Sequence, residues 1–379
     1  MALFAVDQHS PLDHSGSSRG RGGRIGGWLL TISILGLCVF ALVPSPYVIE
    51  LPGPVFNTLG AVTIDGKKVP LIEIPDESTY PTGGSLDLLT VSSIGDRASL
   101  PNWFDVVTAW FDPSKAVLPL DAVYPPGYTV EQSNEDGRIQ MANSQKDAVA
   151  AALTNLGYHL PRTVTVGGLS DGSPSAGVLE PGDVLLTVDG KTFDDVESLR
   201  AVIAASGAGK PLSIELTRNG EPMTVTVTPQ LSNDEPPVPI VGIYPSIDYT
   251  FPFDVNIQLQ NVGGPSGGQM FALGIIDKLT PGELNGGQQV AGTGTIDVEG
   301  KVGPIGGIRQ KLYGALRAGA TWFLAPKSNC AEVVGHVPDG LRVVAVSTLD
   351  DSLAALKAIG NGTGTKDLPT CSEVVGKAG

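Results

Sequence analysis

A serine between glycines, at the start of a helical run, constrains this chain more than any other feature. Residues 264–268 read Gly-Pro-Ser-Gly-Gly, and the run Gln269–Leu279 that follows is predicted to be helical. Glycines let backbone amides approach a substrate closely, and the amides at a helix N-terminus can stabilise an oxyanion. Ser266 is therefore a candidate nucleophile, although an N-capping serine in a strand-to-helix turn explains this stretch alone equally well. The candidate backbone positions around the oxyanion are Gly264, Pro265 and Gly267.

Lys311 is the candidate general base for this serine. It follows the apolar, glycine-rich segment Val302–Ile308 and lies on a predicted amphipathic helix. A lysine accepts a proton only when it is deprotonated, and burial or a nearby positive charge lowers the pKa of a lysine enough for that. The apolar segment could form such a dry pocket. A solvated lysine on the surface of an amphipathic helix is the alternative, and it is the commoner case for any single lysine.

A serine–histidine hydrolase is a second interpretation of the same serine. Residues 264–268 also satisfy G-x-S-x-G, the nucleophile elbow of α/β-hydrolases. That mechanism needs a histidine further along the chain, and only His336 lies downstream. An elbow serine normally follows a buried strand, whereas Asn256–Asn261 is rather polar. Lys311 is therefore the better partner for Ser266.

An apolar segment near the N-terminus predicts a membrane anchor. Residues 25–43 are uncharged over about the minimum length of a membrane-spanning helix. Arg19, Arg21 and Arg24 precede this segment, which predicts the N-terminus inside and the bulk of the chain outside the cell membrane. A cleaved signal peptide is the alternative, but Pro44-Ser45-Pro46 comes directly after the segment, without an obvious A-x-A site. We expect an uncleaved, single-pass anchor.

Aromatic residues also stand out in the segment Leu100–Ser114. They could face the membrane-proximal side of the protein or form an ordinary helix core. The second interpretation is favoured here.

Composition excludes several classes of function. The 379-residue chain has a formal net charge of −15, which argues against binding the nucleic-acid backbone. No CxxC or HExxH spacing occurs, so no metal site and no cofactor are expected. Cys330 and Cys371 could form a disulfide if they lie outside the cytoplasm. Two unpaired thiols are the alternative.

Residues 163–229 differ from the rest of the chain in their pattern of predicted strands and turns. Short valine-rich strands alternate with turns, and Asn219-Gly220 is a strong hairpin signal. The run GSPSAG…LEPGDVLLTVDGK resembles a PDZ domain. PDZ domains bind an extended peptide or C-terminus as an added strand beside a helix. The resemblance therefore implies a peptide groove between the strand Thr163–Leu169 and the helix Asp194–Ser206. A β-rich spacer without a ligand is the alternative.

The segments GPSGG, TGTI and GKVGPIGGIRQKL…RAGA, in this order, resemble the proteolytic domain of Lon proteases. The resemblance implies that Ser266 is the nucleophile, that Lys311 is the general base and that Thr293 contacts the lysine. It also implies a homo-oligomer, by analogy a hexameric ring. GGSLDLLTV and MANSQKDAVAAAL resemble the first strand and an early helix of the family, so the resemblance covers most of residues 82–359. Gly263 and Thr295 stand where the family has acidic residues.

No G-x-x-x-x-G-K-[ST] sequence occurs, so the ATPase module of Lon is not recognisable in this chain. The arrangement resembles the membrane-anchored, PDZ-containing Lon-like proteases of bacteria. The expected fold is α+β: a Lon-type proteolytic domain with an inserted PDZ-like β-rich domain, preceded by one N-terminal transmembrane helix. The predicted divisions are residues 1–24 (cytoplasmic tail), 25–43 (anchor), 47–157 (membrane-proximal segment and first part of the Lon-like domain), 158–229 (PDZ-like domain), 238–359 (Lon-like catalytic part) and 360–379 (flexible tail).

Together these features predict an ATP-independent, membrane-anchored serine endopeptidase. Without an unfolding motor its substrates should be unfolded or flexible protein segments. The PDZ-like domain would bind substrate C-termini or regulatory peptides. A membrane-tethered adaptor without catalytic activity is the alternative from another class. The intact pair of Ser266 and Lys311 argues against it.

Overall fold

The computed structural model describes residues 28–34, 36, 40, 42–127, 129–170, 172–193, 195–232, 235–260 and 262–376. The predicted tail at residues 1–24 and part of the predicted anchor at residues 25–43 lie outside them. Within these ranges no helix is long and apolar enough to cross a membrane. The chain divides into two compact units, Met1–Leu51 with Ser93–Val130, and Pro52–Ser92 with Glu131–Gly379.

The smaller unit is built around one short helix. Strand β1 (Tyr47–Asn57) pairs at its start with the antiparallel strand β6 (Ala116–Pro119). Helix α1 (Trp103–Trp110) begins at Asn102, whose side-chain oxygen accepts a hydrogen bond from the Asp105 amide at 2.9 Å. Helix α2 (Leu120–Val123) follows β6. The small core contains Ile49, Val106 and Ala109, with Tyr47, Trp103 and Val117 packed against it.

One half of the larger unit is a sheet covered on both faces by helices. In the larger unit the strands have the order β19-β18-β15-β5-β1, and the β5–β15, β15–β18 and β18–β19 pairs are parallel. Their bounds are β5 Ser85–Ile94, β15 Gln289–Gly292, β18 Trp322–Pro326 and β19 Arg342–Val346. Alternate residues enter different cores, for example Leu324 on one face and Phe323 on the other. This alternation is what a sheet buried on both faces requires.

The helices divide between those two cores. Helix α3 (Val130–Asn155), α5 (Gly268–Leu279) and α8 (Leu349–Asn361) pack on one face. Helix α6 (Ile308–Arg317) and α7 (Cys330–Val333) pack on the other. The shorter strands of this half are β2 Ala61–Ile64, β3 Lys67–Pro70, β4 Ile72–Glu73, β14 Asn256–Ile257, β16 Thr295–Ile296 and β17 Val302–Gly303.

A five-stranded antiparallel sheet forms the PDZ-like part, in the order β10-β9-β8-β7-β13. Its strands are β7 Arg162–Leu169, β8 Val184–Val188, β9 Leu212–Arg218, β10 Glu221–Val227 and β13 Ile243–Tyr249, with β11 Gln230–Leu231 and β12 Pro239–Ile240 between the last two. Helix α4 (Val196–Ser206) has a capping box formed by Asp195 and Ser198. The sheet extends past the predicted boundary at residue 229. Residues 241 and 242 lead directly into β13 of this sheet.

The C-terminal segment is attached to the half that contains β18 and β19. A disulfide joins Cys330 in α7 to Cys371, the first residue of helix α9 (Cys371–Gly376), with 4.8 Å between their Cα atoms. The Ala345 amide of β19 also donates to the Pro369 carbonyl at 2.8 Å. The prediction of a loose tail over residues 360–379 missed this helix, because a long-range bond rather than local sequence holds it in place.

Candidate active site

The serine turn depends on two of its glycines. Gly264 has φ +85°, a left-handed conformation that costs other residues strain. At Gly267 a side chain has no room, because a Cβ atom there would lie 2.6 Å from Cδ1 of the buried Leu88. These two positions allow the chain to turn sharply into α5. Ser266 is thereby placed at the start of that helix.

Lys311 reaches the same place from α6. Apolar side chains of this helix are fully buried: Ile308, Leu312 and Ala315. Lys311 is itself only 2% exposed. Its Nζ atom donates to Ser266 Oγ at 2.7 Å and to Thr293 Oγ1 at 3.0 Å. The structure therefore brings together the three side chains that the sequence singled out.

Thr293 connects the lysine to the serine turn. It follows β15 and is fully buried. Its Oγ1 donates to the Ser266 carbonyl at 3.0 Å, and the neighbouring Gly294 amide donates to the same carbonyl at 3.0 Å. The Gln269 amide in turn donates to the Gly294 carbonyl at 3.1 Å. These hydrogen bonds fix the position of the serine turn relative to the segment after β15.

Two family models match this chain. Residues 260–358 match the Lon protease (S16) C-terminal proteolytic domain, and residues 136–228 match the PDZ domain. The chain contains a Lon-type serine peptidase domain and a PDZ domain. Ser266, Thr293 and Lys311 all lie within the matched Lon region.

Curated relatives match a short part of this chain and are much longer proteins. Lon protease 2 of Herpetosiphon aurantiacus is 41% identical over 107 residues, which is 26% of this chain and 13% of that protein. Lon protease of Azospirillum brasilense is 42% identical over 93 residues, 24% of this chain and 11% of that protein. Lon protease 1 of Bacillus subtilis is 34% identical over 120 residues, 30% and 15% respectively. The chain thus spans less than a sixth of the length of these relatives.

Among solved structures, the PDZ domain of the SdrC-like protein from Listeria monocytogenes aligns with 21% of this chain and 83% of its own chain. The sequence identity is 24% and the TM-score is 0.20. The corresponding domain from Listeria innocua aligns with 22% of this chain and 92% of its own, with 22% identity and a TM-score of 0.21.

The backbone around Ser266 in the Lon domain differs from expectation. The Gly264 amide donates to the Gly137 carbonyl at 2.9 Å, and Pro265 has no N–H to donate. Neither can therefore serve as an oxyanion donor in this conformation. Within the described chain, the amides of Ser266 and Gly267 have no acceptor, as expected at the start of a helix. Of the predicted positions only Gly267 keeps its role as a candidate donor, and Ser266 joins it.

Helix α3 packs against the serine turn and forms hydrogen bonds with its backbone. The Ser144 hydroxyl donates to the Pro265 carbonyl at 2.8 Å, in addition to the contact of Gly137 with Gly264. A Cβ atom on Gly263 would lie 3.1 Å from the Gly137 Cα atom. Any side chain at position 263 would therefore begin against helix backbone. This explains why glycine suits a position where the Lon family has an acidic residue.

An open groove runs beside the same turn. It has a volume of about 880 Å³ and lies between the first turns of α3 and residues 259–263. Its apolar lining includes Met141, Leu259 and Val262, and its charged lining includes Glu131, Glu135 and Arg138. Gly263, three residues before Ser266, also lines it. An extended chain lying in this groove would therefore pass close to the serine.

His336 is not placed beside the serine. It is only partly buried in the turn after α7, and its Nδ1 atom lies 3.2 Å from the Val334 carbonyl oxygen. The structure thus pairs Ser266 with Lys311 rather than with this histidine. Among the residues described, no group of three or more His, Cys, Asp or Glu side chains is placed to bind a metal ion.

Sequence analysis missed Asn329, which fixes the approach to Lys311. This side chain is 2% exposed and makes two hydrogen bonds to one residue of the PIGG turn. Its Oδ1 accepts from the Ile305 amide at 3.0 Å, and its Nδ2 donates to the Ile305 carbonyl at 2.8 Å. Asn329 is distant in sequence and no local pattern marks it. A buried amide that satisfies two backbone groups is recognisable only from the fold.

Proposed function

We propose that Ser266 and Lys311 form the catalytic dyad of an ATP-independent, membrane-anchored serine endopeptidase. The observation that supports this best is the 2.7 Å contact between Lys311 Nζ and Ser266 Oγ in the Lon domain. That distance is within the range in which a base removes a proton directly. Unfolded or flexible protein segments are the proposed substrates.

The environment of Lys311 suits a general base. The side chain is 2% exposed, and hydroxyl groups of Ser266 and Thr293 contact its amine. Removing an amine from water disfavours its charged form. A neutral amine has the lone pair that a base requires.

The reaction then follows from the positions of these groups. Ser266 Oγ attacks the peptide carbonyl carbon while Lys311 Nζ takes the hydroxyl proton. The amides of Ser266 and Gly267 hold the resulting oxyanion. The Lys311 ammonium returns its proton to the leaving amine, and the C–N bond breaks to leave an ester on Ser266. Water, deprotonated by the same amine, hydrolyses that ester, and Thr293 keeps the amine aimed at Oγ throughout.

The proposed substrate path is the groove beside α3. An extended segment could place apolar side chains against Met141, Leu259 and Val262. A groove of about 880 Å³ can hold an extended segment but not a folded domain, which agrees with unfolded substrates. Residues 1–379 contain no P-loop sequence, and cleavage is proposed to proceed without ATP.

The dyad is tested with unfolded casein, without ATP, by following fragments with mass spectrometry. Wild type should produce fragments, whereas Ser266→Ala and Lys311→Ala should lose activity by about 10³-fold or more. His336→Ala is the matched control and should retain activity. Proteolysis by a Ser266→Ala protein purified free of host proteases would refute the proposal. Activity lost in His336→Ala would favour a serine–histidine hydrolase, and no cleavage by wild type would favour a non-catalytic adaptor.

Membrane anchoring is proposed from the apolar, uncharged residues 25–43 and the preceding arginines. This places the bulk of the chain outside the cell membrane. A homo-oligomer, by analogy with Lon a hexamer, is proposed as well. Fractionation with carbonate extraction tests the first point, and mass photometry of the detergent-solubilised protein tests the second.

The peptide groove cannot lie beside strand Thr163–Leu169, where the sequence predicted it. Strand β7 pairs with β8 on one side and β13 on the other, so no peptide can add to it. Strand β13 is at the end of the sheet, and α4 contacts both β13 and β12. We propose that an extended peptide adds to the outer edge of β13 beside α4.

The residues before β13 are suited to bind a peptide carboxylate. The carbonyls of Val241 and Gly242 accept hydrogen bonds from serines of the 170–175 turn, at 2.6 Å from Ser175 Oγ and 2.9 Å from the Ser170 amide. In a trans peptide the next N–H points away from the preceding carbonyl. The amides of Gly242 and Ile243 therefore face away from that turn, where a terminal carboxylate could accept from them.

The peptide site is tested with a displayed library of random C-terminal heptapeptides. Selected peptides should lose affinity by about tenfold or more when amidated, because the charged acceptor is gone. They should also lose affinity for an Ile243→Pro protein, which lacks one outward amide. Tight binders that tolerate both changes would place the site elsewhere.

A further inference from the structure

Helix α1 in the smaller unit is apolar on two opposite sides. One side, with Val106 and Ala109, is buried against Ile49. The other side is exposed: Phe104 to 54%, Trp110 to 57% and Phe111 to 84%. Positions 104, 107 and 111 follow an i, i+3, i+7 spacing, and Trp110 lies next to them on the helix surface. We call Phe104, Val107, Trp110 and Phe111 the aromatic face.

The aromatic face lies where the chain leaves the predicted anchor. Pro44 forms a β-bridge with Asn102, the residue that caps α1. Ser45 is fully buried, and both its amide and its hydroxyl donate to the Pro101 carbonyl, at 2.8 Å and 2.9 Å. These bonds fix the start of α1 to the first residues after the apolar segment 25–43. The helix is therefore held beside the point where the chain would emerge from a bilayer.

Aromatic contacts also connect the apolar segment 25–43 to α1. The rings of Phe40 and Trp103 lie 6.5 Å apart, and Tyr47 makes edge contacts with Trp103 at 5.7 Å and Trp110 at 6.4 Å. Aromatic side chains thus continue from the apolar segment into α1. Such belts of tryptophan and other aromatic residues are typical of the membrane–water interface.

We propose that the aromatic face lies in the boundary between headgroups and acyl chains of the membrane, on the outer side. A water-exposed surface of three large aromatic residues on a two-turn helix is costly unless it is covered. The charged residues closest in sequence are Asp105, Asp112 and Lys115, and Lys115 is paired with Asp112 at 3.4 Å, so no basic cluster is present to attract anionic lipid. Burial of the apolar rings is therefore the proposed driving force. The proposal rests on the proposed anchor and fixes the orientation of the smaller unit on the membrane.

The full-length chain in nanodiscs tests this through its tryptophans. The chain has four: Trp28 in the predicted anchor, Trp103, Trp110 and Trp322. Fluorescence is compared between discs of ordinary phosphatidylcholine and discs of phosphatidylcholine brominated near the headgroup, which quenches tryptophans within contact. Single Phe substitutions then identify the quenched residues with little risk to folding.

Trp110→Phe should lower the quenched fraction, because a lipid-contacting residue is removed. Trp322→Phe is the matched control: Trp322 is 9% exposed within β18, so removing it should raise the quenched fraction. If Trp28→Phe lowers the fraction and Trp110→Phe does not, the anchor holds and the aromatic face is covered by protein instead. If neither lowers it, the anchor proposal itself fails.

Discussion

At the scale of single residues, Thr293 explains how one buried amine can be aimed. Its hydroxyl lies 3.0 Å from Lys311 Nζ and 3.0 Å from the Ser266 carbonyl oxygen. Thr293 therefore bridges α6, which carries Lys311, and the turn that carries Ser266, and so fixes the distance between them. This contact uses a hydroxyl rather than a charged group, which suits the neutral base proposed for Lys311.

Thr293→Val keeps the shape of this side chain and removes its hydroxyl. We expect kcat on casein-derived fluorogenic peptides to fall about tenfold, the worth of one buried hydrogen bond. Thr293→Ser, which restores the hydroxyl, should recover most of the rate. Equal kcat values for wild type and Thr293→Val, at unchanged thermal stability, would exclude this role.

Asp147 makes stability depend on pH. Burial raises the pKa of Asp147 to about 6; Lys146 opposes the shift, and Asp297 and Glu299 add to it. Because this folded-state pKa lies above the ordinary value of 3.8, the folded protein binds the proton more tightly. The contribution is complete at acid pH, below the ordinary pKa, and is lost as the pH rises through 6.

Asp147→Asn should therefore stabilise the protein at pH 8 by about 1–2 kcal/mol, after allowance for partial solvent screening. At pH 4 its effect should be close to zero. Urea unfolding at the two pH values measures both, and Asp76→Asn, at an exposed position, serves as the control. A gain of the same size at both pH values would mean that charge at position 147 is not the cause.

At the scale of elements, α3 determines where the serine turn lies. The sequence predicted this helix from Met141, yet it begins at Val130. The sequence pattern does not predict helix over residues 130–140, because Gly137 lies among them and glycine is a poor helix former. In the fold that glycine permits backbone contact with Gly263 and Gly264. A residue that weakens the local signal is thus required by the tertiary structure.

Gly263→Ala tests that contact. Its methyl group would lie 3.1 Å from Gly137 Cα and 3.2 Å from the Gly137 carbonyl carbon, so the serine turn has to move. We expect kcat to fall about tenfold with little change in KM, since small misplacements of a nucleophile are costly. Gly376→Ala, where a Cβ meets open space, is the control. Unchanged kcat in Gly263→Ala would show that the turn tolerates the shift.

Sequence analysis of the site drew on local information, and the structure brings together the side chains that it selected. Glycines, helix starts and the order of segments identified Ser266, Thr293 and Lys311 within one stretch of chain. It failed for β13, because the pairing of Ile243–Tyr249 with β7 depends on register across an intervening sheet. It also gave Gly264 a role as oxyanion donor, since the acceptor for its amide, the Gly137 carbonyl, lies in a helix far away in sequence.

At the scale of the whole molecule, the disulfide joins the end of the chain to the catalytic half. Cys330 follows Asn329 directly, and Asn329 holds the turn before Lys311. The bond closes a segment of 41 residues that includes β19 and α8. Restricting the unfolded chain in this way stabilises the folded one.

Cys371→Ser should lower the free energy of unfolding by about 2–4 kcal/mol. Activity on casein at 25 °C should persist, because Asn329 keeps its own hydrogen bonds to Ile305. Calorimetry with and without a reducing agent measures the effect. The wild-type transition should fall toward that of Cys371→Ser on reduction, and a variant transition that still shifts with reductant would point to another bond.

The order of strands along the chain also sets an order of assembly. The PDZ sheet receives its last strand, β13, only after β10, β11 and β12 have been made. During synthesis, the β7 edge of this sheet therefore lacks its neighbour until Ile243–Tyr249 has left the ribosome. That edge is closed by the same stretch that continues to Ser266. Strand β13 therefore leaves the ribosome before Ser266 and well before Lys311, so the PDZ sheet has all its strands before the two proposed catalytic side chains can meet.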